Sequence, residues 1–306
     1  MTQAEAEAER LLGLAREADL VGSDAASWVA RLAPERERLV EAARFLAGHG
    51  QEQAAAELAA GVWRLWLASS EVAGGRELCA AALDAGAGEP SRARALALYG
   101  DGVLAFRQGA QAESQARNQQ ALAVARAVGD REAEALALVG LSRVALRDGY
   151  YPRVRRLAAQ ARGCTVGLDA AAAVAPLHLL AAGTRLAGDL DEAAELYAES
   201  LELNRRLGDQ RMVGVELHNL GHLELHRGNL AVAERWFAEA AGLRDPADPY
   251  DAAMGQLNQA ALAVVRGNRQ RAAGLLGRAQ AMLDSAGIVL DPDDAFEVGW
   301  LRDRLG

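Results

Sequence analysis

Apolar residues recur every three or four positions along most of the chain, which is the spacing of an amphipathic helix. The segment LHNLGHLELHRGNLAVAERWFAEAAGL (217–243) shows this pattern on both sides of Gly228. Its apolar positions are Leu217, Leu220, Leu223 and Leu225 before the glycine, and Leu230, Ala233, Phe237, Ala240 and Leu243 after it. Because glycine readily adopts the left-handed conformation that ends a helix, the segment predicts two antiparallel helices joined at Gly228.

Glycines in the same local pattern repeat along the chain at a nearly constant interval. They are Gly109, Gly149, Gly188, Gly228 and Gly267. Their separations alternate between 40 and 39 residues, and Ser70, 39 residues before the first of them, fits the same turn with the glycine replaced. A fixed period of this length indicates a solenoid, because a single helix pair has an apolar face that only a neighbouring pair can cover.

The sequence therefore predicts an all-α fold, a right-handed α-α superhelical solenoid of about six helix pairs. Three parts are expected in chain order: N-terminal helices that pack on the first repeat (1–50), the helical repeat array (51–286) and a C-terminal capping helix (287–306). Outside the array, helices are expected at 3–20, 35–48 and 293–305. The capping helix is expected because the last repeat of a solenoid has no further repeat to cover it.

The repeat resembles the tetratricopeptide repeat (TPR). In the segment quoted above, the positions that match the family pattern are Leu220, Gly221, Gly228, Ala233, Phe237 and Ala240. A second segment, TRLAGDLDEAAELYAESLEL (184–203), matches it with Gly188, Ala193 and Tyr197. The resemblance covers roughly residues 51–286, and the period is longer than the family's usual length of about 34 residues. Longer loops between the repeats are therefore expected.

A second resemblance concerns the beginning of the array. The segments SWVARLAPERERLVEAARFL (27–46) and AAGVWRLWLASSEVAGGRELCAAAL (59–83) are similar to the start of the helical-repeat region in large actinobacterial signal-transduction ATPases. Those proteins are transcriptional regulators of the LuxR-type and antibiotic-regulator kinds, in which the region serves as a sensor or partner arm. This sequence has no G-x-x-x-x-G-K motif, no lysine and no recognisable terminal helix-turn-helix. The resemblance therefore implies an interaction arm without the ATPase or DNA-binding functions.

Composition and charge exclude several classes of function. All 33 basic residues are arginines, so chemistry that needs lysine, such as a Schiff base or a Walker A phosphate site, is excluded. The net charge of −9 opposes binding to nucleic acid. No stretch approaches the ~20 apolar residues of a membrane span. Two cysteines 85 residues apart give no disulfide framework. We expect a cytoplasmic protein without a cofactor.

The TPR resemblance implies which residues face a ligand. In that family the first helix of each pair lines a concave groove, and the groove-facing residues lie 10, 6, 3 and 2 positions before the turn glycine. The arginines and histidines at these positions are Arg64, Arg107, Arg143, Arg147, His178, Arg185, His218, His222 and His226. No acidic residue occupies any of these positions, although the chain as a whole is acidic.

Two asparagines extend this set. Asn219 and Asn258 each lie nine positions before a turn glycine, where the family uses asparagine to pair with the backbone of a bound peptide. Together these residues predict a non-enzymatic scaffold, in regulation or complex assembly, that binds a protein or peptide in a basic, histidine-containing groove. The expected partner is acidic or has a free carboxylate, because the planar guanidinium group binds carboxylates through two parallel hydrogen bonds.

Three other interpretations remain open. A metal-binding or metalloenzyme site would use His178, His218 and His222, since histidines four residues apart on one helix face can reach the same ion. Against it, no carboxylate is expected beside these histidines, because Glu216 lies half a turn away and Glu224 points elsewhere. A small-ligand sensor arm is implied by the resemblance to the regulators. Finally, the same arginines and histidines are compatible with a solvated groove that has no ligand.

Overall fold

The computed structural model describes residues 2–21, 24–68, 71–84 and 88–306. Every regular element in those residues is a helix, and the helices pack in successive pairs, which confirms the predicted all-α class. None of the helices within these ranges is long and apolar enough to cross a membrane.

The chain divides into two compact units, Met1–Val144 with Gly163–Thr165 and Ala145–Arg162 with Val166–Gly306. The helices of the first unit are α1 (Gln3–Glu17), α2 (Ala25–Leu32), α3 (Arg36–Gly48), α4 (Glu52–Val62), α5 (Arg64–Ala68), α6 (Val72–Leu83), α7 (Arg92–Arg107), α8 (Gln111–Val128) and most of α9 (Arg131–Arg147). A short 3₁₀ turn, Ala33–Glu35, links α2 to α3. The helices predicted at 3–20 and 35–48 are confirmed as α1 and α3, and both pack against α4.

The first helix pair of the array departs from the prediction. The period places a turn at Ser70, as in the other repeats, but the structure has a further turn at Trp63, which separates α4 from α5. Trp63 is 3% exposed; its ring packs against Gly100 of α7 and lies edge-on to Tyr99. No sequence signal marks this interruption. Ser70 lies outside the described residues, so the turn there stays a prediction.

The second unit consists of helix hairpins followed by one further helix. Its helices are most of α10 (Tyr151–Thr165), then α11 (Val174–Leu186), α12 (Leu190–Leu207), α13 (Gln210–His226), α14 (Leu230–Ala241), α15 (Pro249–Val265), α16 (Arg269–Ser285) and α17 (Pro292–Leu305). A 3₁₀ turn, Ala170–Ala173, precedes α11. Helices α11 and α12, α13 and α14, and α15 and α16 pack as pairs, and α17 packs on α15 and α16. The helix predicted at 293–305 is thus present, whereas the division into 1–50, 51–286 and 287–306 stays a prediction.

The turn glycines have the conformation that the period predicts. All five have positive φ angles, between 72° and 96°, which only glycine adopts without strain. The second helix of each pair begins two residues after its glycine. The repeat inferred from glycine spacing is therefore confirmed at Gly109, Gly149, Gly188, Gly228 and Gly267.

One helix pair shows why the leucine–glycine pattern is needed. Gly221 of α13 lies so close to the ring of Phe237 of α14 that a β-carbon at position 221 would overlap the ring. Phe237 is 3% exposed and also packs edge-on against His222, with ring centroids 5.0 Å apart. Because the ring is enclosed, it has little room to move aside, and a side chain at position 221 would push the two helices apart.

We expect Gly221→Ala to lower the free energy of unfolding by about 1–3 kcal/mol, the usual effect of overpacking a close-packed core. Gly255→Ala is the matched control, because Gly255 also lies in a helix of the second unit and has no atom within 4 Å of its β-carbon position. That change should be neutral or stabilise the helix by roughly 0.5–1 kcal/mol. Urea denaturation monitored by circular dichroism measures both. Equal stabilities of the two variants would contradict this packing requirement.

Candidate functional site

Helix α17 carries three buried carboxylates near its start. Asp293, Asp294 and Glu297 are 7%, 8% and 1% exposed, whereas acidic residues are rarely buried unless they have partners. Positions i, i+1 and i+4 lie within an arc of roughly 100° on a helix, so all three groups face one surface of the second unit. Val298 and Leu301 are also buried and join the apolar cluster formed with α15 and α16.

Glu297 lies at the centre of this arrangement, because three basic side chains converge on it. Its carboxylate accepts a hydrogen bond from the guanidinium group of Arg185, 112 positions earlier in the chain. His226 Nε2 lies 3.0 Å from Oε2 and 3.1 Å from Oε1 of Glu297, and His222 Nδ1 lies 3.1 Å from Oε2. Arg185 and His222 are 4% and 1% exposed, so these charge interactions are shielded from water.

Asp294 makes a second set of contacts. Its Oδ1 lies 2.9 Å from His218 Nε2, and its Oδ2 accepts a hydrogen bond from the hydroxyl group of Tyr250. The other ring nitrogen of His218, Nδ1, lies 3.0 Å from Nη2 of Arg244. Because a guanidinium group can only donate, Nδ1 must be unprotonated, and Nε2 donates to Asp294. His218 is therefore a neutral imidazole that contacts a carboxylate.

Burial gives these groups very different proton affinities. Burial lowers the pKa of His218 to about 4, in agreement with the neutral ring inferred from its contacts. Burial and the adjacent Asp294 raise the pKa of Asp293 to about 6. Burial also acts to raise the pKa of Glu297, but His222 and the neighbouring guanidinium group outweigh it and hold that pKa well below its usual range. Glu297 is therefore firmly ionised, whereas Asp293 takes up a proton in mild acid.

The two asparagines predicted to bind a peptide backbone are engaged inside the second unit. Asn219 Oδ1 accepts a hydrogen bond from Arg185 at 3.3 Å, and its Nδ2 donates to the carbonyl oxygen of Val215 at 3.2 Å. Asn258 Oδ1 lies 3.2 Å from His222 Nε2. Both asparagines are almost fully buried. Their role in binding a peptide backbone stays a prediction.

His178 has its own carboxylate partner. Its Nδ1 lies 3.0 Å from Oε1 of Glu216, and the same oxygen accepts a hydrogen bond from the Ser200 hydroxyl group at 2.6 Å. Glu216 is fully buried, so it turns inward rather than away from the histidines. The expectation that no carboxylate lies beside these histidines is therefore wrong. Glu216 and the acidic residues of α17 supply carboxylates that the repeat positions themselves lack.

We call Arg185, His218, His222, His226 and Tyr250 the carboxylate dock. The first four were predicted to face a ligand, and the structure brings them together on α11 and α13. It also covers them with α17, so the predicted groove is not open in the second unit. Each of these four residues, and His178 as well, is already paired with a carboxylate of the same chain.

The acidic residues of α17 are the part of the site that sequence reasoning missed. A signal was present, because LDPDD (290–294) opens the terminal helix with acidic residues while the ligand-facing positions have none. Charge complementarity between these two features favours a helix that covers the ligand-facing residues. Tyr250 and Arg244 had no comparable signal, since they lie at the start of α15 and in the loop before it.

The arginines of the first unit that were predicted to face a ligand have a different environment. Among the described side chains, no carboxylate forms an ion pair with Arg64, Arg107 or Arg143, whereas many other arginines of that unit have such partners. The guanidinium carbon of Arg64 lies 4.3 Å from the centre of the Trp63 ring. Burial lowers the pKa of Arg64, and charge interactions such as that with Tyr99 only partly offset this effect. Arg64 is thus a half-buried cation.

Two further predicted arginines lie at helix ends. Arg107 ends α7 and lines a cavity of about 800 Å³ together with Trp66 and Arg36. Arg147 ends α9, is half-buried and belongs to the second unit. Their proposed contact with a partner stays a prediction.

The metal-site interpretation has no geometric support in the described parts of the chain. There, no group of three or more His, Cys, Asp or Glu side chains is arranged to hold a metal ion. His178 pairs with Glu216, whereas His218 and His222 contact Asp294 and Glu297. The three histidines therefore have separate partners and do not converge on one point.

Comparison with known proteins identifies the fold. No family model and no curated protein matches the chain. A tetratricopeptide repeat protein from Parabacteroides merdae ATCC 43184 is 12% identical and has a TM-score of 0.54, over 81% of this chain and 93% of that one. A Rap protein complexed with competence and sporulation factor is 14% identical with a TM-score of 0.65, over 98% of this chain and 80% of that one.

A third solved structure gives the same result. NprR in complex with its cognate peptide NprX is 14% identical and has a TM-score of 0.61, over 98% of this chain and 82% of that chain. At these identities the likeness concerns the fold alone, and it confirms a TPR-like helical fold. The resemblance to signal-transduction ATPases stays a prediction.

We expect Glu297→Gln to lower the free energy of unfolding by about 3–5 kcal/mol, because it leaves the buried Arg185 without the carboxylate that accepts its hydrogen bond. Glutamine has nearly the same size, so the packing is kept. Glu239→Gln is the matched control, since Glu239 and Arg205 form an ion pair 2.7 Å long whose side chains are 46% and 43% exposed. The free energy of unfolding of this control variant should fall by no more than about 1 kcal/mol. Urea denaturation measures both, and similar small losses would contradict the role of Glu297.

The pH dependence of stability gives a separate test. The neutral ring of His218 stabilises the folded state fully above its ordinary pKa of 6.5, and this contribution is lost as the pH falls towards about 4. Asp293 acts in the opposite direction, because its folded pKa of about 6 exceeds its ordinary 3.8, so the folded state gains stability as the pH falls between these values. The two effects largely cancel in the wild-type chain.

We therefore expect the Asp293→Asn variant to have a larger free energy of unfolding than the wild type at pH 7. On acidification to pH 5, the free energy of unfolding of the variant should fall by about 1 kcal/mol more than that of the wild type. Urea denaturation at the two pH values checks this. Identical losses in both chains would mean that Asp293 has no raised pKa in the folded state.

Proposed function

We propose that this chain is a non-enzymatic scaffold that binds an acidic peptide segment at the ligand-facing positions of its helix pairs. In the first unit the proposed contacts are Arg64, Arg107 and Arg143. A role in regulation or complex assembly accords with the resemblance to the interaction arm of signalling regulators. One observation carries the proposal: in the second unit, residues at equivalent positions bind carboxylates.

The equivalence follows from the repeat. His222 lies six residues before its turn glycine and contacts Glu297. Arg143 lies six residues before the turn glycine Gly149, and Arg64 lies six residues before Ser70, the turn position that the period predicts for the first repeat. A guanidinium group binds a carboxylate through two parallel hydrogen bonds, which makes arginine a stronger receptor than imidazole. A half-buried cation such as Arg64 has also lost hydration that a bound anion would replace.

Two of the solved structures support a peptide, rather than a folded domain, as the kind of partner. NprR was solved with its cognate peptide NprX, and a Rap protein with competence and sporulation factor. Those ligands belong to those proteins, and they bear on this chain only through the shared fold. We accordingly propose a peptide segment, rather than the surface of a folded domain, as the partner of this chain.

The double charge reversal Arg64→Glu with Arg143→Glu tests the proposal. The immobilised full chain is used to capture proteins from a lysate of its native source, and the captured proteins are quantified by isotope-labelled mass spectrometry. We expect the wild-type chain to enrich proteins with acidic segments. The variant should lose roughly 90% of that capture, because a tenfold weaker affinity corresponds to about 1.4 kcal/mol and two introduced carboxylates should repel the segment by at least this much.

Arg126→Glu with Arg156→Glu is the matched control, because it changes the net charge equally but lies on α8 and α10, the second helices of their pairs. Both variants should melt near the wild-type temperature. The control should retain wild-type capture. Equal capture by both variants, whether retained or lost, would contradict the proposed surface.

A further inference from the structure

The cover of the carboxylate dock is a single helix outside the helix pairs. Helix α17 follows the last pair through a connection of a few residues, 286–291. Its carboxylates reach dock residues that lie 44 to 112 positions earlier in the chain. The helix is therefore held on the carboxylate dock by non-covalent contacts with residues that are distant in the sequence.

The contacts define a pattern that another helix can carry. Carboxylates lie at positions i, i+1 and i+4, which are residues 293, 294 and 297. Aromatic rings at i+3 and i+7, Phe296 and Trp300, flank the ring of His226 with centroids 6.2 Å and 5.1 Å away. Val298 and Leu301 add an apolar face against α15 and α16. The pattern is that of an acidic amphipathic helix.

The contacts of α17 make its position specific but contribute little net binding energy. Buried ion pairs such as Arg185–Glu297 contribute little net stability, because the loss of hydration offsets most of the attraction, but they strongly disfavour wrong partners. The apolar contribution to the attachment comes from few side chains. Val298 and Leu301 are nearly fully buried, but Phe296 is 39% exposed and adds less. A free helix with the same pattern can make every one of these contacts.

We propose that the carboxylate dock is a second binding site, which takes an acidic amphipathic helix of a partner protein, and that α17 is a built-in competitor for it. In the absence of the partner, α17 occupies the carboxylate dock and keeps its basic groups paired. The partner helix has the same carboxylate and aromatic spacing, and its binding releases α17. This site is separate from the arginines of the first unit and does not depend on their role.

Hydrogen exchange measured by mass spectrometry on the full wild-type chain tests this inference. The probe is a synthetic peptide of residues 289–306 that contains heavy leucine, so that its fragments are distinguished from those of the chain. We expect excess peptide to speed exchange of the chain's own α17 amides at least about fivefold. The amides of α11 to α16 should keep their rates, because the peptide replaces α17 on the carboxylate dock.

A peptide with Asp293→Asn, Asp294→Asn and Glu297→Gln is the matched control and should leave α17 exchange unchanged. The acidic peptide should act equally on the chain that carries Arg64→Glu with Arg143→Glu, which separates this inference from the function proposed for the first unit. The inference is overturned if the acidic peptide has no effect, or if the neutral peptide acts equally well. It is also overturned if the effect disappears in the Arg64 and Arg143 variant.

Discussion

A buried carboxylate surrounded by basic side chains organises the second unit. Glu297 is almost completely removed from water, where an ionised group is stable only if opposite charge and hydrogen-bond donors replace the lost hydration. Arg185 and His226 supply that replacement from α11 and α13. Because these partners are distant in sequence, the contact determines where α17 lies on the helix pairs. A shifted helix would leave several buried charges unpaired, so the polar contacts make its position specific.

The repeat explains how such a receptor for carboxylates arises. Each turn glycine sets the orientation of the helix before it, so side chains six and ten residues earlier recur on the same side of successive pairs. The residue type at those positions then decides the chemistry. In α13 they are His222 and His218, and burial keeps His218 neutral so that it donates a single hydrogen bond. In the first unit the same position holds Arg143 and, in the repeat predicted before Ser70, Arg64; both carry a charged group with a two-pronged donor geometry.

The features that could be predicted from the sequence are those that repeat with a fixed period. The glycine spacing predicted the helix pairs and their turns, and the family positions selected residues of α11 and α13 that do lie together. Contacts that occur once, outside the repeating pattern, could not be predicted in this way. The docking of Glu297 on Arg185 spans 112 residues and depends on charge matching between a terminal helix and an internal face. The turn at Trp63 depends on the packing of one large ring against α7, which no local pattern encodes.

The most direct test of this account is a double-mutant cycle between Arg185 and Glu297, with Arg185→Gln, Glu297→Gln and the combined variant unfolded in urea. If the two groups form the buried ion pair that positions α17, removing the second partner should have little further effect. The coupling free energy should then be about 2 kcal/mol or more. Losses that add within about 0.5 kcal/mol would mean that the two residues act independently, and they would contradict the claim that the ligand-facing side of these helix pairs is a receptor for carboxylates.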